Sequence, residues 1–281
     1  APGNRWKQNL AFVWIGVFVG LMGANFVFPF IPFYIKELGV TKESEVAFYT
    51  SLTASATGLS LTLTAPIWGS LADRYGRKPM FLRALIGAGV LIAVMGVAQA
   101  VWQLVLLRFL MGAFAGTMGA AAALVAATTP RAKVGYALGL LQTGQFFANM
   151  LGPVIGGVVA ASLGIRESFV FCAALYIAAA ALVYFFVREE PIDEPEGDDG
   201  RGKPRGGSFR ENIAAVVSER QVIFMLLLLF SLWLSTTFVR PVMPISIDKF
   251  ADGERVHLEV PGWTADLKEE AATGLVFGVI G

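Results

Sequence analysis

The sequence is short of charge. Asp, Glu, Lys and Arg together make up 15% of it, against roughly 25% in an ordinary soluble domain. It has a single histidine, His257, and a single cysteine, Cys172. One cysteine cannot build a disulfide framework within a chain, and Cys172, set in an apolar run, has the place of a small hydrophobe. No His-Glu-x-x-His pair, no Gly-x-Ser-x-Gly elbow and no carboxylate dyad occurs in an apolar run, which argues against an intramembrane enzyme. Neither a cofactor nor a metal is called for. A net charge of +1 gives no footprint for a nucleic-acid partner. Acids are also missing from the depths of the first six apolar runs, so no proton acceptor declares itself there.

What fills the chain instead is apolar. Hydrophobic residues reach 56% and the mean hydropathy is +0.64. A membrane span needs ~20 such residues to cross a hydrocarbon core ~30 Å thick. Runs of that kind lie at 10–35, 47–71, 80–99, 102–127, 136–162, 167–187 and 221–247, and a further one begins near Ala271. The first run is too long for a signal-peptide core of ~7–15 residues and reads as a retained span. Gly, Ala and Pro recur within the runs, as in helices that pack closely in lipid. Ala1 is not an initiator Met and Gly281 falls inside an apolar stretch, so the sequence is expected to be part of a longer one.

Lys and Arg orient the spans. With the N-terminus in the cytoplasm, the inner side holds Arg5, Lys7, Arg74, Arg77, Lys78, Arg83, Arg131, Lys133, Arg188 and the basic residues of 201–220. The outer side holds only Lys36, Lys42, Arg166, Lys249, Arg255 and Lys268. This is the positive-inside bias of a cytoplasmic (plasma) membrane protein. Residues 189–208, EEPIDEPEGDDGRGKPRGGS, have the composition of a solvated linker, and 209–220 fits a short interfacial helix. The expected organisation is a six-helix lobe at 1–188, a cytoplasmic linker at 189–220, and the truncated start of a second lobe at 221–281. A weak repeat supports two lobes: FVFPFIPFYI at 26–35 returns as FVRPVMPISI at 238–247, with Pro29 and Pro32 matching Pro241 and Pro244. Repeated halves with a site between them are the plan of secondary transporters. Each proline removes a backbone hydrogen bond, so matched bends are expected in the first and seventh spans.

Three motifs carry more. The loop after the second span reads GSLADRYGRKPM at 69–80, with Gly69, Asp73, Arg74, Gly76, Arg77 and Lys78 in the pattern Gly-x-x-x-Asp-Arg-x-Gly-Arg-Lys. The fourth span reads LLRFLMGAFAG at 106–116, which sets Arg108, Gly112 and Gly116 at i, i+4 and i+8 on one helical face. A charge in mid-membrane marks function by default, although Arg108 could also snorkel to the outer interface. The fifth span reads GLLQTGQFFANMLGPVIGG at 139–157.

These motifs resemble those of the major facilitator superfamily, and within it the twelve-helix drug–proton antiporters. The fold class implied is an all-α polytopic membrane protein with the major facilitator fold: the N-terminal six-helix lobe plus helix 7 and part of helix 8. The resemblance implies that Asp73 faces a helix N-terminus of the other lobe and, with its arginines, forms a conformational latch. It implies that Arg108 tunes proton affinity and access; Met111 stands where the family usually has Gln. Gly139, Gly152, Pro153, Gly156 and Gly157 match the antiporter motif, with Ala148 in place of an inner Gly, and the small residues are expected to bring this helix close to its mate in the other lobe. Gln142, Gln145 and Asn149 form one helical stripe that either lines a wet cavity or glues helices together. Asn25, Phe28, Met111 and Arg240 are further cavity candidates. The implied activity is export of small drug-like amphipathic compounds in exchange for protons, by a monomer embedded in the lipid bilayer. The alternative is a substrate-specific permease of the same superfamily.

Overall fold

The computed structural model describes residues 5–189, most of 221–231, and the strand residues 255–260 and 263–268 by backbone alone. The Asp73 side chain, the linker at 190–220, Arg240 and the span expected from Ala271 lie outside the described residues. So does most of 221–247, although its described residues up to 231 are helical.

Helices account for every span of the first lobe. The first comprises α1 (Arg5–Val27), a 3-10 turn (Phe28–Phe30) and α2 (Ile31–Glu37). The second is α3 (Glu43–Tyr75) and the third α4 (Arg77–Gly96). The fourth is split into α5 (Val101–Phe114) and α6 (Thr117–Thr128). The fifth is α7 (Val134–Leu163) and the sixth α8 (Ile165–Phe186). Taken as whole spans, all but the second are long and apolar enough to cross a membrane. With 33 residues α3 is also long enough, at ~1.5 Å rise per residue, but Ser and Thr dilute it. Several threonine hydroxyls bond back along the helix itself: Thr50 donates to Val46 O at 2.7 Å, Thr53 to Thr50 O at 2.7 Å and Thr57 to Thr53 O at 2.9 Å.

The helices pack through aromatic residues set against glycines. α1 lies against α7 and α8, α4 against α8, and α3 against α5. Phe26, Phe30, Tyr34, Phe81, Phe169 and Tyr176 are fully buried. A Cβ at Gly16 would sit 2.9 Å from the Phe81 ring, and one at Gly23 2.1 Å from the Tyr176 ring. Small residues are what allow such approaches in lipid, where packing rather than water drives helix association. The Tyr176 hydroxyl donates to Gly20 O, and Tyr34 donates to Met95 O at 2.7 Å. By contrast Val90, Val94, Trp102, Leu106, Phe171 and Ile177 point outward and are exposed, an apolar girdle that a bilayer covers.

The chain also contains a β-hairpin, which an all-helical expectation does not include. Strands β1 (Arg255–Val260) and β2 (Trp263–Lys268) pair antiparallel, Arg255 opposite Lys268 and Val260 opposite Trp263. It falls where the sequence places an outer loop. Its positions alternate polar and apolar, the period of a strand with two unlike faces.

Candidate functional site

The signature loop joins α3 to α4 through Gly76. Gly76 has φ +94° and ψ 159°, a backbone that side chains rarely adopt. The turn leaves the N-terminus of α4 open, and Glu189 closes it. Its carboxylate accepts from Arg77 N–H at 2.9 Å and from Lys78 N–H at 2.9 Å. A carboxylate at this position also meets the positive end of the helix dipole. Lys78 Nζ donates to Tyr184 O at 2.8 Å. Beside it, Asn9 and Arg188 are joined reciprocally: Asn9 Nδ2 donates to Arg188 O at 2.8 Å, and Arg188 N–H donates to Asn9 Oδ1 at 3.1 Å. The first residue expected in the solvated linker is therefore docked on the loop. Arg74 is exposed, over the Tyr75 ring at 5.4 Å. Gly69 is exposed, and a Cβ there would meet nothing within 4 Å. Asp73 lies in the last turns of α3, which fixes its place but not its partner.

Arg108 does not snorkel. It is 5% exposed on α5, and its Nε and Nη2 have no hydrogen-bond partner among the described residues. Tyr176 and Cys172 of α8 lie within electrostatic reach. Its carbonyl accepts from Thr57 Oγ1 at 3.0 Å. Gly112, one turn on, is where α3 and α5 touch: a Cβ there would lie 2.1 Å from Thr57 O. The expected single face of Arg108, Gly112 and Gly116 ends at Gly112, because the helix breaks at Ala115 and Gly116. Met111, a cavity candidate by sequence, is packed inside the lobe. It is 7% exposed and belongs to the core, since its side of α5 faces the bundle.

The small residues of the fifth span pack on α1, within the same lobe. A Cβ at Gly152 would lie 2.9 Å from Met22 O, and one at Gly156 2.7 Å from Phe26 O. Ala148, Pro153 and Gly157 are buried on α7 too. Among the described residues this close approach is to α1, not to a helix of another lobe. Gly139 is exposed with open space around it. The amide stripe divides between its two readings. Asn149 Oδ1 accepts from Asn25 Nδ2 at 2.8 Å, and Asn25 Nδ2 also donates to Leu21 O at 2.9 Å. This pair glues α1 to α7, as does the bond from Trp14 Nε1 to Thr143 Oγ1 at 3.1 Å. Gln142 is exposed, while Gln145 and Phe28 are half-buried.

Reading the sequence alone misses Glu189, Asn9, Trp68 and Arg83. Arg83 counts there as a cytoplasmic positive charge, yet it lies on α4, half-buried, with its guanidinium carbon 3.5 Å from the centre of the Trp68 ring. Its position inside the third apolar run is the signal that could have found it. For Glu189 the signal is an acid directly after the sixth span, facing a helix start with no cap of its own.

Comparisons with known proteins show the family and the fold. The model of the Major Facilitator Superfamily matches residues 13–281. The multidrug resistance protein MdtG of Yersinia enterocolitica is 40% identical over 70% of this chain and 48% of its own length. That of Enterobacter lignolyticus is 36% identical over 89% of this chain and 58% of its own, so the chain spans about half the length of these relatives. The fold is shared with a bacterial homolog of the human lysosomal transporter Spinster, at TM-score 0.59 and 18% identity over 76% of this chain and 50% of that one. It is shared also with a POT family transporter, at TM-score 0.61 and 14% identity over 97% of this chain and 67% of that one. The chain belongs to the major facilitator superfamily.

Proposed function

We propose that the protein exports small amphipathic compounds across the cytoplasmic membrane in exchange for protons, by alternating access between two lobes. In this reading it acts as a monomer, with the N-terminus and the Asp73 loop in the cytoplasm. The observation that carries it is Arg108: a guanidinium buried in a span, with two nitrogens unpartnered among the described residues. A buried cation is costly and is retained where it has work to do. A fixed positive charge favours the ionised form of any acid brought beside it. An acid that meets Arg108 in only one access state would therefore release its proton there and regain it in the other. The multidrug relatives support drug-like substrates. The exposed amide of Gln142, one helical turn before the exposed ring of Phe146, suits an apolar cavity with a few polar anchors.

The test is expression of the full-length gene in efflux-deficient cells, with resistance scored against a drug panel with and without a protonophore. Resistance to several unrelated compounds, abolished by the protonophore, is expected. Resistance that persists undiminished with the protonophore would remove proton coupling. Arg108→Ala is expected to change the pH profile of efflux, and an unchanged profile takes Arg108 out of the coupling path. Asp73→Asn is expected to cut transport at least tenfold with normal membrane insertion; wild-type efflux in that variant removes the latch. A substrate-specific permease is the second reading, favoured by the lack of any Asp or Glu deep in the first six spans. It predicts response to one compound class only.

A further inference from the structure

Only the fourth of the described spans is interrupted by non-helical residues. Ala115 is extended, with φ −65° and ψ 178°, and Gly116 is left-handed, with φ +110° and ψ 15°. Such a break strands carbonyls that a continuous helix would pair with the N–H four residues on: Ala113 O with Thr117, and Ala115 O with Gly119. Here side chains from two other helices take them. Trp68 Nε1 of α3 donates to Ala113 O at 2.5 Å, with Thr64 Oγ1 at 3.4 Å. Arg83 Nη2 of α4 donates to Ala115 O at 3.3 Å. The two donors are themselves stacked, and Phe114 flanks both, its ring centre 6.3 Å from that of Trp68 and 6.0 Å from the Arg83 guanidinium. Phe114 reaches this place because residue 87 is glycine; a Cβ there would lie 2.3 Å from its ring. A cation at the C-terminal end of α5 also meets the negative pole of that helix.

The clamp is incomplete. Arg83 Nε and Nη1 are buried with no hydrogen-bond partner among the described residues, an arrangement that leaves donors unpaired at a cost. The two carbonyls have alternative donors of equal kind in their own backbone, and Gly116 tolerates both the left-handed and the helical conformation. The break and the continuous helix thus each offer these carbonyls a donor, which is what a two-state element requires.

We propose that Arg83 and Trp68 are positioning residues that hold the fourth span open at Ala115–Gly116, and that exchanging them for main-chain donors, which closes the span into one helix, accompanies the change of access. Closing the break turns α5 relative to α6 and carries Arg108 with it. This rests on the alternating-access reading above.

The test uses the full-length protein in nanodiscs with Cys172→Ala and spin labels at Leu106→Cys and Ala126→Cys, both exposed positions on the two halves. Double electron–electron resonance reads the distance between them. Wild type is expected to show two distances whose ratio changes with pH. Arg83→Ala and Trp68→Phe, which keeps the ring but loses the N–H, are each expected to collapse the distribution onto the distance of an unbroken helix, about 30 Å between backbones at a rise of ~1.5 Å per residue. A wild-type distribution in both variants overturns the proposal, as does one in Trp68→Phe alone if Arg83→Ala fails to insert. The distances are read without transport. A protein that exports nothing from the panel yet shows the shift keeps the hinge and loses the export reading; one that exports without the shift does the reverse.

Discussion

The first and fourth spans both depart from an ideal helix, but by different physics. In the first, Pro29 and Pro32 remove two donors, and the chain answers with a tightened 3-10 turn at Phe28–Phe30. The flanking residues stay right-handed helical: Val27 has φ −82° and ψ −28°, and Ile31 φ −55° and ψ −45°. In the fourth there is no proline, yet Ala115 and Gly116 leave the helical region, and the carbonyls of Ala113 and Ala115 accept from Trp68 and Arg83. Pro66 within α3 and Pro153 within α7 also leave their helices unbroken. A proline fixes a bend covalently, the same in every state. A break held by side chains from neighbouring helices lasts only while those neighbours stay in place, so it can respond to their movement.

Three substitutions break or sharpen that contrast. The largest effect is expected from Gly112→Ala, just before the break. The new Cβ would lie 2.1 Å from the Thr57 carbonyl oxygen, which belongs to the main chain and cannot rotate away. A loss of about 3 kcal/mol is expected from such overpacking, visible as a lower melting temperature and reduced yield of folded protein in size-exclusion chromatography. Unchanged yield and melting would mean that α3 and α5 are not in contact there. Next comes Gly116→Ala. No atom blocks a Cβ at this position, so only the left-handed backbone resists it, at about 1–2 kcal/mol. The variant is expected to melt earlier or to favour the continuous helix, seen as slower amide exchange across the break. Exchange and melting both equal to wild type would show that residue 116 is not left-handed. The smallest effect belongs to Pro29→Ala, about 0.5 kcal/mol in either direction, because the chain at that point is already helical. A change in melting or amide exchange as large as that of Gly116→Ala would make the first span the hinge instead.

The contrast also marks what can be read from the residues alone. Spans are legible because burial in lipid demands long apolar runs, and the proline bend of the first span is legible because its cause is covalent. The close-packing role of Gly152 and Gly156 was readable too, since a missing Cβ has one main use in a membrane helix. Their partner was not, for nothing in a stripe of small residues says which helix fills it; α1 does. Gly116 reads in sequence as the third member of a helical face, whereas the carbonyls around the break bond to Trp68 and Arg83, far away in sequence. Asn149 and Gln142 share a stripe and look alike, yet one is paired with Asn25 and the other is exposed. By composition Glu189 reads as linker, while its docking depends on the open helix end created by the turn at Gly76.

Amide hydrogen exchange in the full-length protein, compared between residues 113–119 and residues 26–36 at two pH values that favour opposite access states, tests the contrast most directly. Expected is protection of 26–36 that is high and the same at both, with exchange at 113–119 that is fast at one pH and slow at the other. Equal and unchanging protection of the two segments would contradict it.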